Sequence, residues 1–241
     1  MTTGRAGFAA CLLASMLLVP AYAGPMLTPP AGAGTDPPAP WHVVGLPGQT
    51  KPFTQFSVVD VDARRAVKIE ADESYGNLVH PLNRLRVPAH LAWQWRIERG
   101  LTHADLHRKS GDDTAVKVCV FFDEPMNALS FVDREVIRLA RARASEAVPT
   151  ATVCYVWDYG APAGSEIDNA FTRRLRYIVL ENSRTENQWV AERRDLGADF
   201  VLAFGSESAD VPAIVGIAIG ADADNTQDHS IAYVSGLSLE P

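Results

Sequence analysis

Between its turn residues this sequence alternates apolar and polar side chains with a period of two, the pattern of a β-strand that buries one face. In AVKIEAD, Val67, Ile69 and Ala71 share one side while Lys68, Glu70 and Asp72 share the other. In LAWQWRIE, Leu91, Trp93, Trp95 and Ile97 point one way and Ala92, Gln94, Arg96 and Glu98 point back. In VKVCVFF, Val116, Val118, Val120 and Phe122 oppose Lys117, Cys119 and Phe121. The segments TVCYVWD, RLRYIVLE, VPAIVGIAIGAD and HSIAYVSGLSL extend the series to at least seven expected strands.

Two stretches depart from it. FVDREVIRLARARA sets Val132, Ile137 and Leu139 at near-helical spacing, and RRDLGADFVLAFG does the same with Leu196, Phe200, Leu202 and Phe204. Both predict short helices. Many strands, few helices and hairpin-like spacing predict a mostly β fold, a two-sheet, jelly-roll-like β-sandwich with two short helices. With 47% hydrophobic residues, residues 41–241 are long enough to bury one core as a single domain.

The N-terminus follows a different rule. Arg5 precedes an apolar run of 13 residues from Gly7 to Val19, and Pro20 leads into the small-x-small triplet Ala21, Tyr22, Ala23. Residues 1–23 therefore read as a cleavable secretory signal. The run is shorter than the roughly 20 residues of a bilayer-spanning helix, so no membrane insertion is expected. Cys11 belongs to the signal. Residues 24–40, with Pro25, Pro29, Pro30, Pro37, Pro38 and Pro40 among small residues, read as a proline-rich tether. The expected location is the periplasm or the exterior. Loss of Arg5 with the signal takes the formal charge from −7 to −8. Neither nucleic acid nor an anionic membrane surface suits such an acidic chain, in which Lys and Arg form no stripe.

Export would carry Cys119 and Cys154 into an oxidising compartment. Each is followed four residues later by an acid, Asp123 or Asp158, so the two segments look alike. Two readings stand: a disulfide between neighbouring strands, or a pair of buried thiols behaving as small hydrophobes.

The polar sides of the alternating strands collect Glu70, Gln94, Arg96, Lys117, Cys119 and Cys154, with the strand-end acids Asp123 and Asp158. One reading is a solvated outer face. The other is a groove for a glycan or another envelope polymer, in which Arg96 and Lys117 donate and Asp123 and Asp158 accept. Two such acids would also serve glycoside cleavage if they flanked one groove. In DADNTQD, the oxygens of Asp222, Asp224, Asn225 and Asp228 suit calcium, and a hairpin turn is the other reading. The loop is no EF-hand, because Gln227 and Tyr233 stand where Gly and Glu are required. Gly111–Asp113 forms a second acidic turn.

Nucleophile machinery is thin, with no GxSxG, HExxH or P-loop. His80 and His229 read as structural hydrogen-bonders. Tyr75, Tyr159 and Trp41, near strand ends, are candidate platforms for sugar rings. Trp93, Trp95 and Trp157 read as core, and Trp189 as packing beneath the second helix.

The segments VVGLPGQTKPFTQF, SYGNLVHPL, LAWQWRIE, GDDTAVKVCVFFD, ATVCYVWD, NAFTRRLRYIVLEN, ERRDLGADFVLAFG and IGADADNTQDHSIAYVSGL resemble an exported bacterial family catalogued as domain of unknown function 3047. The resemblance runs from about Trp41 to Leu239. It marks Cys119, Cys154, Arg173, Arg174, Asp222, Asp224 and Asn225 as family-pattern positions and gives them no roles. The order of AVKIEAD, LAWQWRIE and IAYVSGLSL is also similar, at the level of fold, to galactose-binding-like jelly rolls that serve as carbohydrate-binding modules. The leading expectation is an exported, non-catalytic protein that binds a glycan or other polar ligand. A carboxylate-based glycan hydrolase or lyase, and an envelope scaffold that binds another protein, are the alternatives.

Overall fold

The computed structural model describes Met1 and residues 26–86, 88–144, 146–208 and 210–240. Met1 apart, the expected signal lies outside them. The described elements are β1 (His42–Val44), β2 (Gln55–Val61), β3 (Arg64–Asp72), β4 (Tyr75–Leu85), β5 (His90–Arg99), β6 (Thr114–Asp123), α1 (Phe131–Arg143), β7 (Ala151–Trp157), β8 (Glu166–Asp168), β9 (Leu175–Glu181), β10 (Val190–Asp195), α2 (Leu196–Phe204), β11 (Ala213–Asp222) and β12 (His229–Glu240). They form a two-sheet sandwich. A seven-stranded sheet runs β1-β4-β11-β6-β7-β9-β8, and a five-stranded sheet runs β10-β5-β12-β3-β2. Neighbouring strands are antiparallel except β7 and β9.

The apolar sides of the alternating strands meet between the sheets, as their pattern requires. Trp93 and Trp95 of β5 face Tyr155 and Trp157 of β7, with ring centroids 5.2 Å apart for Trp93–Tyr155 and 5.7 Å for Trp95–Trp157. All four rings are fully buried, and truncating any one to alanine would cost about 3–5 kcal/mol. The helices start where capping chemistry dictates. Ser130 accepts from the Asp133 amide at the head of α1, and Asp195 accepts from the Gly197 and Ala198 amides at the head of α2. α2 inserts Phe200 and Phe204 into the core, whereas α1 buries only Ile137 among its apolar residues and leaves Phe131, Val132, Val136 and Leu139 exposed.

Residues 26–40 contain no helix or strand, yet they are fastened to the sandwich. Leu27 is buried. The Thr28 amide donates to His80 Nε2 at 3.2 Å, and Trp41 Nε1 donates to the Thr28 carbonyl at 2.7 Å. Arg65 donates to the carbonyls of Gly32, Ala33 and Gly34. Arg173, Arg174 and Arg176 share Glu207, and Arg174 also reaches Glu124 at 2.8 Å, so these arginines tie β9 to the segments after β6 and α2.

The outer side of the seven-stranded sheet is not the charged surface that period-two alternation suggested. Cys119, Cys154, Val156, Tyr177, Val179 and Ala218 form a second apolar layer there. Leu106, from the loop after β5, packs into it, and Ala161, from the loop after β7, packs against it.

Candidate functional site

Three central strands position the site. Pairing of β4, β11 and β6 sets Asn77, Gly220 and Lys117 in one cross-strand row, and Tyr75 and Asp222 face each other in an adjacent one. Along its centre the outer side of the middle strand carries Gly216, Ala218 and Gly220, which keeps the sheet surface low between its neighbours, with Val215 at one end and Asp222 at the other. A methyl group on Gly220 would overlap Asn77 Oδ1, and one on Gly216 would press on Phe121 and the His80 carbonyl.

Two segments raise walls on this floor: β1 and the loop after it, residues 42–53, on one side, and the end of α1 with residues 144 and 146–149 on the other. Between them lies an open cavity of about 650 Å³, within the range of small-molecule sites. Tyr75, Asn77, Val79, Pro81 and Phe121 form its floor, with Leu46 and Phe53 on one wall and Val148 and Pro149 on the other. His42 Nε2 and Glu146 Oε2, 3.5 Å apart, join the walls, and Arg143 lines the second. The floor is largely apolar, with the Asn77 amide and the Tyr75 hydroxyl as its polar groups, and the charged groups stand on the walls.

Behind Tyr75 the polar groups satisfy one another. Asp222 accepts from the Thr114 amide at 2.8 Å, from Thr114 Oγ1 at 2.6 Å and from Lys117 Nζ at 2.7 Å. Burial works against the Lys117 ammonium, but the Asp222 carboxylate outweighs it and holds the lysine above its ordinary pKa. The ammonium also lies 5.1 Å from the Tyr75 ring centroid, a cation–π contact. Tyr177 Oη and Asn169 Nδ2 donate to Asp112 at 3.0 and 2.7 Å. Burial, then the charge of Asp222, raises the Asp112 carboxyl.

The residues expected to form one polar groove are divided between the two sheets. Glu70, Gln94 and Arg96 lie on the five-stranded sheet, where Glu70 pairs with Lys68 at 2.6 Å and His229 at 3.1 Å, and Arg96 with Asp62 at 3.1 Å. Lys117, Asp123 and Asp158 belong to the other sheet. Lys117 is buried on Asp222, and Asp123 pairs with Arg84 and Arg141. Asp158 accepts from the amides of Gly160 and Ala161 at 3.0 and 2.5 Å and borders a separate hollow of about 530 Å³. Burial raises its carboxyl. Asp123 and Asp158 cannot act as a pair: β6 and β7 are antiparallel, which separates them by roughly 25 Å along the strands. The same register puts Cys119 directly opposite Cys154, and the two form a disulfide with Cα atoms 4.0 Å apart.

The acidic loop is held by protein donors except at Asp224, whose Oδ1 is buried with no hydrogen-bond partner among the described residues. Asp222 is occupied as above. Asn225 and Thr226 donate to Asp113, with the Thr226 amide and hydroxyl both at 2.6 Å, and Asp228 accepts from the His229 amide at 2.7 Å. The two acidic turns thus latch onto each other. Among the described residues no group of three or more His, Cys, Asp and Glu is arranged to hold a metal ion.

Of the three aromatics expected to meet ligand, Tyr75 lines the cavity, Trp41 is buried edge-on to His80, and Tyr159 packs on Gly100. Trp189 sits not beneath α2 but on the five-stranded sheet, donating to Asp62 at 3.1 Å with its ring 6.4 Å from that of Tyr233. His80 donates through Nδ1 to the Pro81 carbonyl, accepts at Nε2, and burial lowers its pKa. Phe53, Asn77, Phe121, Arg143 and Glu146 were not singled out in the sequence. The one local signal for the groove was the spacing of Gly216 and Gly220 with Ala218 between them.

Among the described residues no helix is long and apolar enough to cross a membrane. A family model described as a protein of unknown function, DUF3047, matches residues 39–238. No protein of curated function matches the chain. Among solved structures, the carbohydrate-binding module TmCBM61 in complex with β-1,4-galactotriose is 9% identical, with 84% of this chain and 88% of that one covered and a TM-score of 0.35. The endo-1,4-β-glucanase CelB2 is 11% identical over 84% of this chain and 97% of that one, TM-score 0.41. Endoglucanase 3 of Trichoderma harzianum, from family GH12, is 9% identical over 85% and 99%, TM-score 0.41. At these TM-scores the likenesses carry nothing about function.

Proposed function

Since the chain belongs to the DUF3047 family, whose description assigns no activity, we propose from the site itself that it is an exported, non-catalytic protein holding a segment of glycan in the groove across its seven-stranded sheet. The observation that carries this reading is the open cavity of about 650 Å³ with a largely apolar, partly aromatic floor and charged groups on its walls. A pyranose ring has the matching character, with C–H faces that pack on aromatic and aliphatic surface and hydroxyls at its edge that seek donors and acceptors. Phe53 stands half-exposed on one wall, available for stacking.

The same groove favours binding over cleavage. Glycoside hydrolysis ordinarily takes two carboxylates flanking the bond. Among the described residues lining this cavity Glu146 is the single acid, and it is paired with His42. The Cys119–Cys154 disulfide agrees with an oxidising compartment.

Calorimetric titration of the purified protein with neutral and uronic-acid-containing β-linked tetrasaccharides tests the proposal. At least one should bind, and Phe53→Ala should weaken it by up to roughly tenfold, the upper end of a stacking contribution. Absence of binding across the panel, or affinity indifferent to Phe53→Ala, would overturn it.

A further inference from the structure

Resting on that reading, we infer that Tyr75 and Asn77 together recognise a neutral hydroxyl group of the bound glycan and so set specificity at one end of the groove. Both side chains line the cavity, two residues apart on the outer side of β4. Asn77 Nδ2 lies 3.0 Å from Tyr75 Oη, and this is the one hydrogen bond either side chain makes among the described residues. With the amide donating, the phenol keeps its own O–H to give and Asn77 Oδ1 keeps its lone pairs, unbonded and not sealed from solvent. Turning the amide over exchanges these roles but not the outcome: the phenol oxygen would then be free to accept and the amide N–H free to donate. In either orientation the pair offers at least one donor and one acceptor side by side.

A hydroxyl is the group that matches such a pair, because it donates and accepts at one atom. A carboxylate only accepts and an ammonium only donates, so each would leave half of the pair unsatisfied. The nearest cation offers no alternative, since Lys117 is spent on Asp222 at 2.7 Å. The surroundings hold the pair in place. Lys117 lies 5.1 Å from the centre of the Tyr75 ring, and the missing side chain of Gly220 makes the space that Asn77 Oδ1 occupies. Tyr75 and Asn77 are thus presented by the sheet itself and not by a mobile loop.

The test pairs protein variants with ligand variants. Calorimetry would compare wild type, Tyr75→Phe and Asn77→Ala against the tightest-binding tetrasaccharide of the panel and its monodeoxy analogues. Removing one neutral hydrogen bond is expected to weaken binding about 2- to 10-fold. Wild type should lose that much for one particular deoxy analogue, while Tyr75→Phe binds the parent more weakly and no longer distinguishes it from that analogue. Asn77→Ala should behave the same way, and unchanged melting temperatures would separate recognition from folding. Retention of wild-type discrimination by both variants would overturn the inference and leave the glycan reading standing. Failure of the wild type to bind any tetrasaccharide would remove both.

Discussion

Glu192 shows how one residue couples the core to pH. Its Oε1 accepts from Trp95 Nε1 at 3.2 Å, which gives a buried indole the acceptor it needs. Burial, with the charge of Glu181 adding and the Trp95 bond opposing, pushes the carboxyl up from 4.5 to about 7. Between those values the native state holds a proton that the unfolded chain has released. This residue's contribution to stability therefore falls as pH rises from about 4.5 to about 7, and levels off above. Glu192→Gln should raise the melting temperature near pH 8 and shrink its decline from near pH 5, as scanning calorimetry would read. An undiminished decline would contradict the assignment. At this scale the sequence was legible where alternation decides the environment, as at Trp93, Trp95 and Trp157. It was not legible at Lys117, whose charge is tolerated in the interior because Asp222, 105 residues away, comes to meet it.

Among the elements, β6 and β7 mark where local pattern stops being informative. Their similar sequences were enough to suggest a Cys119–Cys154 pairing. The companion idea, that Asp123 and Asp158 act together, required the strands to run the same way, and direction is set by the rest of the chain. Antiparallel register brings the cysteines together and sends the acids to opposite ends. The disulfide spans 35 residues, for which loop-closure entropy gives about 4 kcal/mol. Replacing both cysteines with alanine should lower the unfolding free energy in urea by about that amount, and a loss below about 1 kcal/mol would contradict it. Strand β4 escaped the sequence reading because Pro81 interrupts its alternation. It nevertheless pairs with β11, whose register shifts between Ile214 and Gly216 beside that proline. The groove depends on this strand, since β4 supplies Tyr75, Asn77, Val79 and Pro81.

At the scale of the molecule, the two sheets turn different surfaces outward. The five-stranded sheet carries the charged side chains that the sequence displayed most openly, among them Glu70 and Arg96, with Trp189 and Tyr233, and they are largely paired with one another. The seven-stranded sheet carries an apolar layer and the groove. That division was hidden in the sequence because strand order, which inserts β11 between β4 and β6, decides which side chains share a face. The loop parts of the walls, residues 45–53 and residues 144 and 146–149, have no periodicity to read. The central claim is that ligand occupies the seven-stranded face. An NMR titration of isotope-labelled protein with the tightest-binding tetrasaccharide tests it directly. The predicted perturbations cluster at residues 43–53, at Asn77 and Phe121, and at residues 146–148. Perturbations centred instead on Glu70, Arg96, Trp189 and Tyr233 would contradict it.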